Sequence, residues 1–170
     1  MKEIDIAKFT SKYAVRKLTE ADTEIIYDLC LGNPQFYEFS FHELSKESLK
    51  EETLEATPPG KSLADKYYVG FFEGAKLVAV LDLIDGYPED DIAYIGFFML
   101  AKEYQGNGLG SALVTELFDY LKSTGFKRIR LGIDKENPQS NHFWKKNGFT
   151  VLCEVPQGDN HILLRAERVL

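Results

Sequence analysis

Apolar residues change their spacing twice along this chain, and each change marks a different kind of element. Tyr13-Ala-Val-Arg-Lys17 reads as a short first strand. Ala21, Ile25, Ile26, Leu29 and Cys30 then recur at helical spacing, with Thr19 and Asp22 placed as a capping box and Gly32 at the exit. The aromatic-rich stretch Asn33 to Phe41 fits neither period. Residues 45–56 predict a second helix with an acidic face, ended by Thr57-Pro-Pro-Gly60.

The middle of the chain is strand-like. Tyr67 to Phe72, Lys76 to Asp85 and Ile92 to Leu100 are apolar runs separated by Glu73-Gly74 and by the loop Gly86-Tyr-Pro-Glu-Asp90. That spacing predicts an antiparallel meander. Its strands are apolar on both faces, so helices are expected to cover both sides. After Leu100 the period returns to a helical one. A glycine-rich turn, Gln105 to Gly110, opens a helix reaching Thr124, with Leu113, Leu117 and Leu121 four residues apart and Gly125 closing it. A strand at Arg128 to Ile133, a helix at Ser140 to Asn147 ended by Gly148, and strands at Thr150 to Val155 and His161 to Val169 complete the order β-α-α-β-β-β-α-β-α-β-β. The class is α/β (α+β), with a mixed sheet: antiparallel first, then a crossover helix that requires a parallel neighbour.

Composition narrows the function classes. The 170 residues suit a single domain, 1–170, and 44% hydrophobic against 28% charged is a globular balance. The net charge of −7 argues against a nucleic-acid partner. Two cysteines, Cys30 and Cys153, exclude a disulfide framework, and Cys153 on an apolar strand is expected in the core. His42, His142 and His161 have no metal-ligand spacing, so no metal is expected. No secretory leader or membrane-length apolar run is visible, which predicts a cytoplasmic protein with no membrane partner.

Chemistry concentrates after Leu100. A P-loop would need Gly-Lys-Ser/Thr at the helix start, but Gly110 is followed by Ser111-Ala112. A dinucleotide fingerprint begun at Gly106 and Gly108 ends on Ser111 where glycine is needed, although Asp134 imitates its ribose-binding acid. The remaining pattern is Gln-x-x-Gly-x-Gly, from Gln105, Gly108 and Gly110. Small residues there let backbone N–H groups converge at a helix N-terminus, which suits an anion such as a pyrophosphate. Taken alone it reads equally as a tight connection.

Asp82 is the other marked residue, an acid inside Val80-Leu-Asp-Leu-Ile84 that needs a partner. A hairpin centred on residues 86–90 places it opposite Tyr94, whose hydroxyl could supply that partner. The two read either as proton-handling groups or as a satisfied structural pair. Asp85, Glu89, Asp90 and Asp91 around the same loop read either as an attractor for cationic amines or as solvated charge.

Asn137-Pro-Gln-Ser-Asn-His-Phe143-Trp144-Lys-Lys-Asn-Gly148-Phe149 lies one strand beyond the glycine turn. Together the two segments resemble the GCN5-related N-acetyltransferase (GNAT) family, matching its (Arg/Gln)-x-x-Gly-x-(Gly/Ala) turn and its Asn…Phe-Tyr-x-Lys-x-Gly-Phe segment. The resemblance implies a mostly antiparallel mixed sheet of about seven strands flanked by about four helices. It implies acetyl-CoA as acetyl donor and a small-molecule or peptide amine as acceptor, the amine attacking the thioester carbonyl directly in a ternary complex. Backbone groups of Phe98, Met99 and Leu100 would hold the pantetheine arm, with a backbone N–H there, at Leu100, as oxyanion donor. Gln105, Gly106, Asn107, Gly108, Leu109, Gly110 and Ser111 would hold the pyrophosphate. Asn137 would reach the pantetheine, and Ser140, Phe143 and Trp144 would wall the thiol end. Lys145 and Lys146 read either as contacts to the nucleotide phosphate of CoA, with Lys146 the candidate, or as ordinary surface. Phe36, Tyr37, Phe39 and Phe41 lie where the family builds its acceptor pocket, Phe36 and Tyr37 being the acceptor-binding candidates, and read equally as packing residues; family members commonly form homodimers. Two departures bear on mechanism. Trp144 stands where a tyrosine is usual, and an indole N–H is no usable acid. Tyr94 stands about where the family often carries a glutamate. A non-catalytic acetyl-CoA sensor is the competing reading; polyamines, antibiotics and protein N-termini or lysines are the competing acceptors.

Overall fold

A computed structural model describes residues 2–170. The elements are β1 (Ala14–Lys17), α1 (Thr23–Leu31), α2 (Pro34–Phe39), α3 (Lys46–Leu49, continued by a π-wound turn, Lys50–Glu55), β2 (Lys66–Glu73), β3 (Lys76–Asp85), β4 (Ile92–Leu100), α4 (Leu109–Ser123), β5 (Arg128–Asp134), α5 (Pro138–Lys146), β6 (Thr150–Gln157) and β7 (His161–Val169). The seven strands form one sheet in the order β1-β2-β3-β4-β5-β7-β6. All neighbours are antiparallel except β4 and β5, which are parallel and joined by the crossover through α4.

Helices cover both faces. Leu113, Leu117 and Leu121 of α4 are buried against Leu81, Leu83, Ile129 and Leu131, together with Trp144 and Phe149. Burial of each such leucine stabilises the fold by roughly 1.5–3 kcal/mol relative to exposure. On the opposite face, Ile26, Leu29 and Cys30 of α1 and Leu49 of α3 pack on Tyr68, Val80 and Met99.

Five helices are present among the described residues. The additional one is α2, in the stretch that carries no periodicity. Pro34 occupies its first turn, and Phe36 and Tyr37 pack against the α1 layer, so tertiary burial stabilises a six-residue helix that spacing does not announce. The first helix starts later than its capping residues suggest, because Glu20–Asp22 form a 3₁₀ turn before α1. The last begins at Pro138, since Asn137 Oδ1 accepts the Ser140 N–H at 3.1 Å and caps it.

Two expectations are corrected. Cys153 is exposed, not core. It lies on the edge strand β6, beside a register shift at Val151/Cys153 and opposite Arg165. The β3–β4 hairpin also pairs differently. Ile84 faces Tyr94, and after a register shift Asp82 faces Phe97, leaving Gly96 unpaired. The hairpin loop is two residues longer on the β4 side than the symmetric turn assumed, and the bulge adds one more.

Candidate active site

Strands β4 and β5 pair only from Ile92/Arg128 to Ile95/Leu131. Both continue, β4 to Leu100 and β5 to Asp134, so their C-terminal ends part. A cavity of about 560 Å³ occupies the parting. Its walls include Phe98, Met99 and Leu100 from β4, Gly132 and Asp134 from β5, the α4 entry, and Ser140, Phe143, Trp144 and Lys146 of α5.

The β4 backbone is aimed by the sheet. The Ala101 N–H donates to the Val78 carbonyl at 2.8 Å. Alternation along the strand therefore turns the N–H groups of Leu100 and Phe98 away from β3, toward the cavity. The Leu100 carbonyl points the same way. It accepts from Asn33 Nδ2 at 3.2 Å and from Gln105 Nε2 at 2.8 Å, and Gln105 Nε2 also donates to Asn33 Oδ1 at 2.6 Å. The Gln105 side chain thus anchors the strand end; only its backbone serves the turn.

The turn itself is open. Gly106 and Gly108 have φ of 83° and 82°, and nothing lies within 4 Å of a Cβ built on either. Asn107 Oδ1 accepts the Leu109 N–H at 3.2 Å, and the first intrahelical bond of α4 runs from Ala112 to Gly108. The N–H groups of Gly110 and Ser111 therefore remain free at the positive end of a four-turn helix. These groups fit a pyrophosphate, and the parted strands beside them fit an extended thioester arm.

Residues 31–149 match the acetyltransferase (GNAT) family. The chain belongs to that family. A curated relative of this GNAT chain, the 5-NmdU N-acetyltransferase of Pseudomonas phage PaMx11, is 31% identical over 78 residues, which span 46% of this chain and 51% of the phage protein, about half its length. An acetyltransferase crystal structure from Thermus thermophilus shares the fold at TM-score 0.71 and 23% identity, covering 92% of this chain and 96% of that one. The PaiA N-acetyltransferase of Thermoplasma acidophilum, solved in complex with coenzyme A, aligns at TM-score 0.64 and 20% identity, covering 94% and 99%.

The structure distributes the remaining candidates unevenly. Phe36 and Tyr94 stand on the cavity wall. Tyr37 does not: it is turned into the α1 layer beside Cys30, where burial pushes both groups up, Cys30 to about 11. Asn137 is buried as the α5 cap, and Asn107 and Leu109 are likewise used within the turn, none of the three lining the cavity. Trp144 is packed among Phe98, Phe143 and Phe149, with ring centroids 6.0, 4.8 and 5.2 Å away.

Asp82 is not paired with Tyr94. Its Oδ2 lies 2.7 Å from Lys66 Nζ, and both residues are buried. Burial pushes the Asp82 carboxyl up to about 6, against the pull of the Lys66 ammonium. The pair sits behind Gly96, where a Cβ would come within 2.7 Å of Asp82 Oδ2. Sequence reasoning missed Lys66, whose only signal is a cation at the head of an apolar run. It missed Asn33, which looked like a turn residue before Pro34. It took Asp134 for an imitation of a ribose-binding acid, yet Asp134 lines the cavity.

Among the described residues no helix is long and apolar enough to cross a membrane, and no cluster of His, Cys, Asp and Glu could hold a metal ion. Of the acidic loop residues, Glu89 and Asp91 pair with Arg128 at 3.1 and 2.7 Å, so much of that charge is neutralised locally.

Proposed function

We propose that this protein is a cytoplasmic enzyme that transfers the acetyl group of acetyl-CoA to a primary amine, by direct attack in a ternary complex. One observation carries the reading. The free N–H groups of Gly110 and Ser111 and the outward-turned N–H groups of Phe98 and Leu100 open on one cavity. The first pair suits a pyrophosphate, and the second suits a thioester arm and the oxyanion that forms on its carbonyl, a contribution of a few kcal/mol for each donor lost or gained.

Bound acetyl-CoA would supply an activated acyl carbon with a thiolate leaving group. The chain's residues orient that carbon and exclude water. Asn33 and Gln105 fix the peptide after Leu100 through its carbonyl, so the Leu100 N–H is held ready rather than recruited. Phe98, Phe143 and Trp144 make a dry wall, with Phe98 and Phe143 stacked at 6.0 Å. The buried indole donates no proton, so the thiolate leaves without an acid at this position. No cysteine serves as nucleophile: Cys30 is buried in the α1 layer and Cys153 is on the far edge strand.

The testing measurement is the melting temperature with acetyl-CoA and with NAD, followed by thiol release across a set of amines. A rise with acetyl-CoA alone, and thiol release with an amine, is expected. No rise at saturating acetyl-CoA overturns the proposal. A rise with no thiol release from any amine favours the sensor reading.

A further inference from the structure

The cavity lies in the gap between β4 and β5 and is lined by residues of both faces of the sheet. Ile129, Leu131 and Ile133 face the α4 side, so Arg130, Gly132 and Asp134 face the other. Tyr94, opposite Arg130 in the parallel register, shares that second face, as do Phe97 and the Phe36 ring packed edge-on to it at 5.8 Å. The glycine turn therefore serves one face of the gap, and Asp134, Tyr94, Phe97 and Phe36 line the other. Asp134 is the one carboxylate on the cavity wall among the described residues; the one Lys or Arg there, Lys146, belongs to α5 on the α4 side.

Asp134 is held by one oxygen. His161 Nε2 lies 2.7 Å from its Oδ1, while among the described residues Oδ2 has no hydrogen-bond partner. His161 is itself wedged against the Phe41 ring at 5.6 Å, and Leu163 stands directly opposite Asp134 in the β5–β7 register. Burial holds the Asp134 carboxyl above its ordinary value, against the pull of His161 and, more weakly, of His42.

Resting on the transferase reading, we propose that Asp134 binds the ammonium of the acceptor and takes its first proton, with His161 as the positioning residue that aims the carboxylate. The acceptor this wall fits is a primary amine on an apolar or aromatic stem, since Leu163 stands opposite Asp134 and Phe36, Phe97 and Tyr94 line the same cavity. An N–H bond of the ammonium breaks, its electron pair stays on nitrogen, and an O–H bond forms on Asp134 Oδ2. The neutral amine attacks the acyl carbon, the C–N bond forms and the C–S bond breaks. The second nitrogen proton goes to the departing thiolate, and Asp134 returns its proton to water.

The experiment titrates benzylamine, with benzyl alcohol as the uncharged control, into the full chain saturated with CoA. The readout is the His161 imidazole resonances, assigned by their loss in His161→Gln. Benzylamine is expected to shift them and benzyl alcohol is not. Asp134→Asn is expected to keep the acetyl-CoA melting rise while weakening benzylamine about tenfold or more, the loss of a charge-assisted contact. A second readout, benzylamine's own ring resonances, is expected to show binding retained by His161→Gln, which keeps a donor for Oδ1, and lost in His161→Leu. Benzylamine leaving His161 unmoved, or binding Asp134→Asn as it binds the wild type, overturns the inference. If Asp134→Asn does not fold, the comparison of benzylamine with benzyl alcohol on the wild type decides it. The transferase reading fails separately, if acetyl-CoA does not raise the wild-type melting temperature.

Discussion

Lys66 Nζ and Asp82 Oδ2 lie 2.7 Å apart with both residues buried, on neighbouring strands two residues out of register. Asp82 faces Tyr68, and Lys66 faces Ile84, so the ion pair is a diagonal contact across β2 and β3. It answers the question that an acid in an apolar strand raises, with a cation sixteen positions earlier in the chain.

Removing the cation leaves a buried carboxylate unpaired. Lys66→Met is expected to cost about 3–5 kcal/mol at pH 8, where Asp82 is ionised. The pH dependence has a definite sign. A carboxyl whose native pKa, about 6, lies above its ordinary 3.8 lends its full stability below about pH 4 and loses it as pH rises through 6. Without Lys66 the native pKa rises further, so the variant's denaturation midpoint should fall more steeply than wild type's between pH 5 and pH 8. Parallel curves for the two proteins would show that the pair is not electrostatically coupled.

Gly96 and Asp82 exclude one another sterically. Gly96→Ala puts a Cβ 2.7 Å from Asp82 Oδ2 and is expected to cost about 1–3 kcal/mol. In the Asp82→Ala background the same substitution should be nearly free, giving a clear coupling in a double-mutant cycle measured by urea unfolding. Equal costs in both backgrounds would contradict the close approach.

Trp144 is a packing residue. Trp144→Ala is expected to cost about 3–5 kcal/mol through the cavity left among Phe98, Phe143 and Phe149. Trp144→Phe should keep most of the stability and, in any thiol-release assay that reads the wild type, most of the rate. A large loss of rate in a stable Trp144→Phe would mean that the indole N–H takes part in the chemistry.

Asn33 and Gln105 hold one carbonyl between them. Asn33→Ala is expected to lower stability by about 1 kcal/mol and to reduce the melting rise given by acetyl-CoA, although Asn33 lies outside the glycine turn. Gln105→Ala should do the same, and the double variant should cost less than the two singles added. An undiminished acetyl-CoA effect in Asn33→Ala would separate the Leu100 carbonyl from cofactor binding.

Local signals in the sequence determined the element order from β2 onward, the mixed sheet and the glycine turn. Each of these depends on residues close together in the chain: a period of two or four, a turn residue, a cap. The strands β3, β4 and β7 fall where apolar runs bounded by turn residues put them. Tertiary structure decided everything that depends on which residues meet across elements. A bulge at Gly96 and a shifted hairpin took Tyr94 from Asp82 and left Lys66 as its partner. Packing on the α1 layer turned 34–39 into a helix and sent Phe36 to the cavity but Tyr37 away from it. The parting of β4 from β5 brought Asp134 into the cavity and His161 behind it, although they are 27 residues apart. A register shift of one residue changes the face a side chain takes, and no local pattern records it.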